Sequence, residues 1–129
     1  MELTSDVIRV KGFRWMPGML ALHVGTPLRV VSVENDEYLG EPYQVLRTVR
    51  ENGEPAQVIA EGETFPDLTD PATGGWLLAL LDENAHYIEH SGANGELPWG
   101  AWWEGIRTDF QHLGEACAFL AIKSGSFAP

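Results

Sequence analysis

Residues 67–84 constrain this chain more than any other stretch. Asp70 stands where a helix N-cap belongs, and Pro71 follows at the first helical position, where its missing N–H leaves no bond unmade. Apolar side chains then recur at Trp76, Leu77, Leu80 and Leu81, which is one face of a helix over 71–84. Gly74 and Gly75 weaken its first turns by up to ~1 kcal/mol each relative to Ala. Such a helix holds only if packing of its leucine face offsets that loss. Two glycines there also permit the close approach of another element.

The residues before this helix read as strands. Residues 7–10 are a short candidate, and 28–33 a stronger one rich in β-branched side chains. Glu34-Asn35-Asp36-Glu37 reads as a polar turn after it. Residues 43–60 predict a hairpin around Asn52-Gly53, since both residue types tolerate positive φ. Trp15-Met16-Pro17-Gly18-Met19 predicts a turn that tucks Trp15 inside. After the helix, 86–90 reads either as its extension or as the start of a strand, 99–108 predicts a strand that fits pairing with 85–90, and 111–123 a final helix burying Leu113, Cys117, Leu120 and Ala121. Gly125 stops that helix, and 126–129 should fray. The order predicts an α+β fold: an N-terminal antiparallel β-sheet unit, then helix–β-hairpin–helix. With 129 residues and 44% hydrophobic content, the expectation is a single domain over 1–129, β-rich over 1–66, with the helix–hairpin–helix part over 67–129. Residues 62–66 read as the joint between the parts.

Charge narrows the function classes. Nineteen acidic side chains face eight basic ones, for a net charge of −11. Residues 61–129 hold eleven acids against Arg107 and Lys123 alone. Binding of DNA or RNA needs Lys and Arg to displace counterions from phosphates, so direct nucleic-acid binding is not expected. An acidic surface suits a basic protein partner instead. Cys117 is the single cysteine, so no intrachain disulfide forms, which fits a reducing compartment. No apolar run approaches the ~20 residues that span a bilayer, and residues 1–14 lack the apolar core of a signal peptide. A cytoplasmic protein with no membrane association is expected.

Few residues suggest chemistry. His86-Tyr87-Ile88-Glu89-His90 spells the inverted zinc-protease pattern, which requires a helix to bring its two histidines one turn apart. On a strand they would stand ~13 Å apart, too far to share a metal ion. A solvated edge is the favoured reading, and no metal or other cofactor is expected. Cys117, in an apolar helical stretch, reads as a small buried hydrophobe rather than a nucleophile. His23 is flanked by apolar residues and reads as structural or as exposed at a strand end, and His112 lies near a helix start. With no triad, P-loop or dinucleotide fingerprint, the chain reads as non-enzymatic.

The tryptophans are the better candidates. Trp99, Trp102 and Trp103 are flanked by Glu96, Glu104 and Asp109. Indoles either fill a core or anchor a partner. On one continuous strand, Trp99, Ala101 and Trp103 share a face, while Trp102, Glu104 and Ile106 share the other. If the sheet is covered on one side only, one set forms an aromatic patch rimmed with acid. Trp99, Trp102, Trp103, Glu96, Glu104 and Asp109 are therefore the candidate partner-binding residues.

Two stretches carry a family resemblance. Phe13-Arg14-Trp15-Met16-Pro17-Gly18-Met19 resembles the opening of small uncharacterised proteins encoded by bacteriophages and prophages. Pro66-Asp67-Leu68-Thr69-Asp70-Pro71-Ala72-Thr73, followed by Gly75 and Leu77-Leu78-Ala79-Leu80, resembles a second segment of theirs. Gly74 stands where that segment has Leu, and Trp76 where it has Cys. The resemblance lends no catalytic residue. It implies a phage accessory protein in the cytoplasm of a bacterial host.

The expected function is protein–protein interaction through an acidic, Trp-containing surface, directed at a host protein with a basic surface such as a defence or nucleic-acid-binding factor. One alternative is a protein that sequesters a nucleotide-like small molecule by aromatic stacking, helped by Arg9, Lys11, Arg14, Arg29, Arg47 and Arg50. Another is a structural component of the virion.

Overall fold

A computed structural model describes residues 1–81, 87–91 and 97–129. The fold is α+β and divides into two compact units. One is Trp15–Asp67, and the other joins Met1–Arg14 to Leu68–Pro129. The first fourteen residues thus belong with the C-terminal part, not with the β-rich part.

The Trp15–Asp67 unit is one antiparallel sheet. Its strands are β1 (Leu20–His23), β2 (Thr26–Tyr38), β3 (Glu41–Val49), β4 (Pro55–Ile59) and β5 (Thr64–Pro66), in the order β4-β3-β2-β1-β5. Residues 62–66 are therefore not merely a joint, since β5 is an edge strand paired with β1. Trp15 and Met19 are buried on either side of the Pro17-Gly18 turn, as the sequence predicts. The hairpin at Asn52-Gly53 also forms: Gly53 takes φ 86, and its N–H bonds the Arg50 carbonyl at 2.9 Å. The expected turn at 34–37 does not form. Those residues continue β2 and pair with Val45 down to Pro42 on β3, so the reversal comes later, at Leu39-Gly40. Buried polar groups have partners. Thr48 donates to the Ala56 carbonyl at 2.9 Å, and the Thr64 hydroxyl meets His23 Nδ1 at 2.8 Å, which gives His23 a structural role.

The other unit contains α1 (Leu3–Val7), α2 (Pro71–Leu80), α3 (Leu113–Ser124) and a three-stranded sheet of β6 (Tyr87–His90), β7 (Trp99–Trp103) and β8 (Ile106–Phe110). The strand expected at 7–10 does not form: buried Val7 ends α1, and residues 8–10 make the turn after it. The cap of α2 forms as predicted: Asp70 accepts from the Thr73 N–H and from the Thr73 hydroxyl, each at 3.0 Å. Leu77, Leu80 and Leu81 are buried. The single strand expected over 99–108 is two strands, because Glu104 (φ 50) and Gly105 (φ 79) form a two-residue reversal between them. The α3 helix ends at Gly125 (φ 86), whose N–H bonds the Ala121 carbonyl at 2.8 Å. The tail after it does not fray. Phe127 is buried and donates to the Lys11 carbonyl, while Ala128 donates to Leu80 and accepts from Arg14.

Close approach of helices sets this unit's core. A Cβ on Gly74 would lie 3.0 Å from the backbone nitrogen of Gly114, so α2 and α3 touch at that point. A Cβ on Gly114 would overlap the Leu68 carbonyl. Gly75, by contrast, faces open space. Gly114→Ala should therefore destabilise the protein by about 3 kcal/mol through overpacking against backbone. Gly75→Ala should stabilise it by about 0.5–1 kcal/mol through helix propensity. Urea denaturation of the two variants checks both signs.

Candidate functional site

The three-stranded sheet has two unlike faces. Pairing sets Ile88 opposite Ala101 and Thr108, and His90 opposite Trp99 and Phe110. These residues lie on the face toward α3. Ala101, Ala116 and Leu120 form a buried cluster there, with Trp99, Trp103, Phe110 and Phe119 packed against it. The Phe110 and Phe119 ring centroids are 5.3 Å apart, and His90 meets Trp99 edge-on at 4.7 Å. Trp99 and Trp103, each partly buried, pack against this core and so lie on the opposite face of the sheet from Trp102.

The opposite face carries two cross-strand rows. One is Tyr87, Trp102 and Arg107, and the other is Glu89, Gly100 and Asp109. Tyr87 is exposed and Trp102 is partly exposed. Arg107 organises the group. Its Nε donates to Asp109 at 2.6 Å, and its Nη1 donates to Glu89. The guanidinium lies over Gly100: a Cβ there would come within 2.5 Å of Nε, so only glycine leaves room for it. Its pKa is raised, first by the Asp109 hydrogen bond, against a lowering from desolvation that ranks next, and further by the charges of Asp109 and Glu89 and the Glu89 hydrogen bond. Glu89 also accepts from the Trp102 indole N–H at 3.4 Å. An indole, a phenol and two carboxylates therefore stand in a fixed arrangement around one cation. Such a face offers flat apolar area beside hydrogen-bond acceptors, which suits a partner surface bearing donors and positive charge.

The other candidate acids lie apart. Glu104 sits in the β7–β8 turn, exposed and on neither row. Glu96 lies outside the described residues. Ile106 pairs with Trp103, so the turn moves it off the Trp102 face where one continuous strand would have kept it. The expected concentration of free acid in the second half is reduced by internal use. Asp70 caps α2, and the Glu115 carboxylate accepts from the His112 N–H at 3.0 Å. Sequence reading missed Tyr87, Glu89 and Arg107 as members of the site. The available signal was Glu104-Gly105 between two strand-like runs.

The metal and nucleophile readings can be placed as well. His90 is on a strand, and His86 lies outside the described residues. Among the described residues, no group of three or more His, Cys, Asp or Glu is placed to hold a metal ion. No helix among them is long and apolar enough to cross a membrane. Cys117 is buried in α3, and desolvation pushes its thiol up to about 12. No family model, curated protein or solved structure matches this chain.

The Cys117 environment predicts an alkaline effect on stability. The unfolded thiol ionises near 9.0, while the folded one keeps its proton toward 12. Its contribution is fully present below the unfolded value and is lost as pH rises through this interval. The slope reaches at most about 1.4 kcal/mol per pH unit. Urea titrations between pH 8 and 11 should show a fall that is shallower in Cys117→Ala.

Proposed function

We propose that this protein is a binding module that acts by protein–protein contact through the outer face of the β6–β7–β8 sheet. Trp102 is the anchor, Tyr87 extends the apolar area, and the Arg107–Glu89–Asp109 cluster, two carboxylates around one cation, leaves a net negative charge that favours basic groups of the partner. The supporting observation is the segregation of the indoles: Trp99 and Trp103 pack toward α3, whereas strand alternation puts Trp102 on the opposite face, where its N–H meets Glu89 at 3.4 Å. The resemblance of residues 13–19 and 66–80 to phage and prophage proteins supports an accessory role in a bacterial cytoplasm. The partner is then a host factor with a basic surface. A nucleotide-like ligand fits this face less well, because Arg107 is already engaged by two carboxylates and phosphate needs uncommitted donors.

Capture from bacterial lysate by immobilised wild-type protein and Trp102→Ala, each at 50 and 500 mM salt, tests the reading. The wild type should retain proteins that Trp102→Ala loses at least tenfold, and high salt should weaken the retention. Unchanged thermal melting of the variant separates lost contact from lost folding. Identical retained sets, or retention indifferent to salt, would remove the proposal.

A further inference from the structure

The long hairpin of the Trp15–Asp67 unit outruns its sheet. β1 pairs with β2 only as far as Arg29, and β4 pairs with β3 only from Val45 onward. Between Glu34 and Gln44, β2 and β3 pair with each other as a two-stranded ribbon. Its end is apolar where solvent is the neighbour: Tyr38 is 70% exposed, Leu39 87% and Ile59 46%. With Pro42 and Tyr43 they border a groove of about 640 Å³.

Leu39 is the telling residue. It takes φ 51 at the first position of a two-residue turn, a conformation that Asn or Gly adopts with less strain. A leucine there is strained and gains no burial within the chain. Val24 is strained and exposed in the same way in the β1–β2 turn, but Leu39 alone of the two stands beside Tyr38, Pro42 and Ile59 at a groove, where an apolar contact with a second molecule is available.

Charge selects the occupant. Glu41 and Glu61 line the groove, Asp36 stands beside its Tyr43, and no Lys or Arg occurs between Arg29 and Arg47 in the sequence. Arg47, further along β3, is paired with Glu34 at 2.6 Å. The Asp36 carboxylate is fixed in place, accepting from the Tyr43 hydroxyl at 3.1 Å and from the Glu37 N–H at 2.8 Å. This field repels a second copy of the ribbon, an anionic membrane and nucleic acid. We infer that the ribbon tip is a docking element for a basic protein segment that places an apolar side chain beside Leu39 and Tyr38. The inference does not rest on the Trp102 face, which belongs to the other unit.

The test uses the full chain and three soluble peptides of equal length, built from Lys and Leu, Lys and Ser, or Glu and Leu. Backbone amide shifts are followed by NMR. The Lys–Leu peptide should shift residues 36–41, 43, 59 and 61, and bind at least tenfold more tightly than either of the others. Leu39→Asn should weaken it at least tenfold while melting no lower than wild type, and Trp102→Ala should leave it unchanged. Equal binding of the Lys–Ser peptide, shifts spread over acidic residues generally, or unaltered affinity of Leu39→Asn would overturn the inference. So would concentration-dependent dimerisation, or partition into phosphatidylcholine–phosphatidylglycerol vesicles, that Leu39→Asn abolishes.

Discussion

The contact of α3 with the chain at Leu68 determines the character of the three-stranded sheet. Gly114 lies so close to the Leu68 carbonyl that any side chain would overlap it, and Gly74 brings α2 within van der Waals reach of the same point. Helices that meet through glycines lie close together, and the small buried side chains Ala116, Ala118 and Ala121 continue that close packing along α3. With α3 held in this position, Leu120 and Phe119 reach Ala101, Trp99 and Trp103. One sheet face becomes core. The other is left to Trp102, Tyr87 and the Arg107 cluster.

Two-residue reversals then decide which side chains share a face. Glu104-Gly105 folds β8 back on β7, so Arg107 falls beside Trp102, and Asp109 beside Gly100. Gly100 leaves space for the guanidinium, and the two carboxylates fix it. Leu39-Gly40 performs the same reversal at the end of β2 and β3 and lifts a leucine to the tip of an acidic ribbon. Val24-Gly25 joins β1 to β2 in the same way. In each pair the first residue takes positive φ without being Asn, Asp or Gly.

That detail explains what was legible in the sequence. Asn52-Gly53 was readable as a turn because both residues favour the conformation, and Asp70-Pro71 as a helix start because cap and ring each satisfy a backbone requirement. The reversals at Val24, Leu39 and Glu104 announce themselves only by the following glycine, so 99–108 read as one strand and 34–37 as a turn. Residues 7–10 carry β-branched side chains, yet tertiary packing of α1 on α3 overrides that preference. The tail read as loose because the groups that fix it are remote in sequence: Phe127 bonds Lys11, Arg14 bonds Ala128 across 114 residues, and Ala128 bonds Leu80. Within the site, alternation along β7 was enough to put Trp102 opposite Trp99 and Trp103. Arg107, Glu89 and Tyr87 needed the strand pairing, which depends on the missed turn.

The three-stranded sheet is one-sided, buried at Ala101 and partly exposed at Trp102. Single-cysteine insertion tests it directly, since the native Cys117 is buried and its thiol holds its proton. Ala101→Cys and Trp102→Cys would be labelled under native conditions with a chromogenic disulfide reagent at pH 8. The cysteine at 102 should react at the rate of an accessible thiol, while the one at 101 should react only when the protein unfolds. Rapid labelling at 101 with protection at 102 would contradict it.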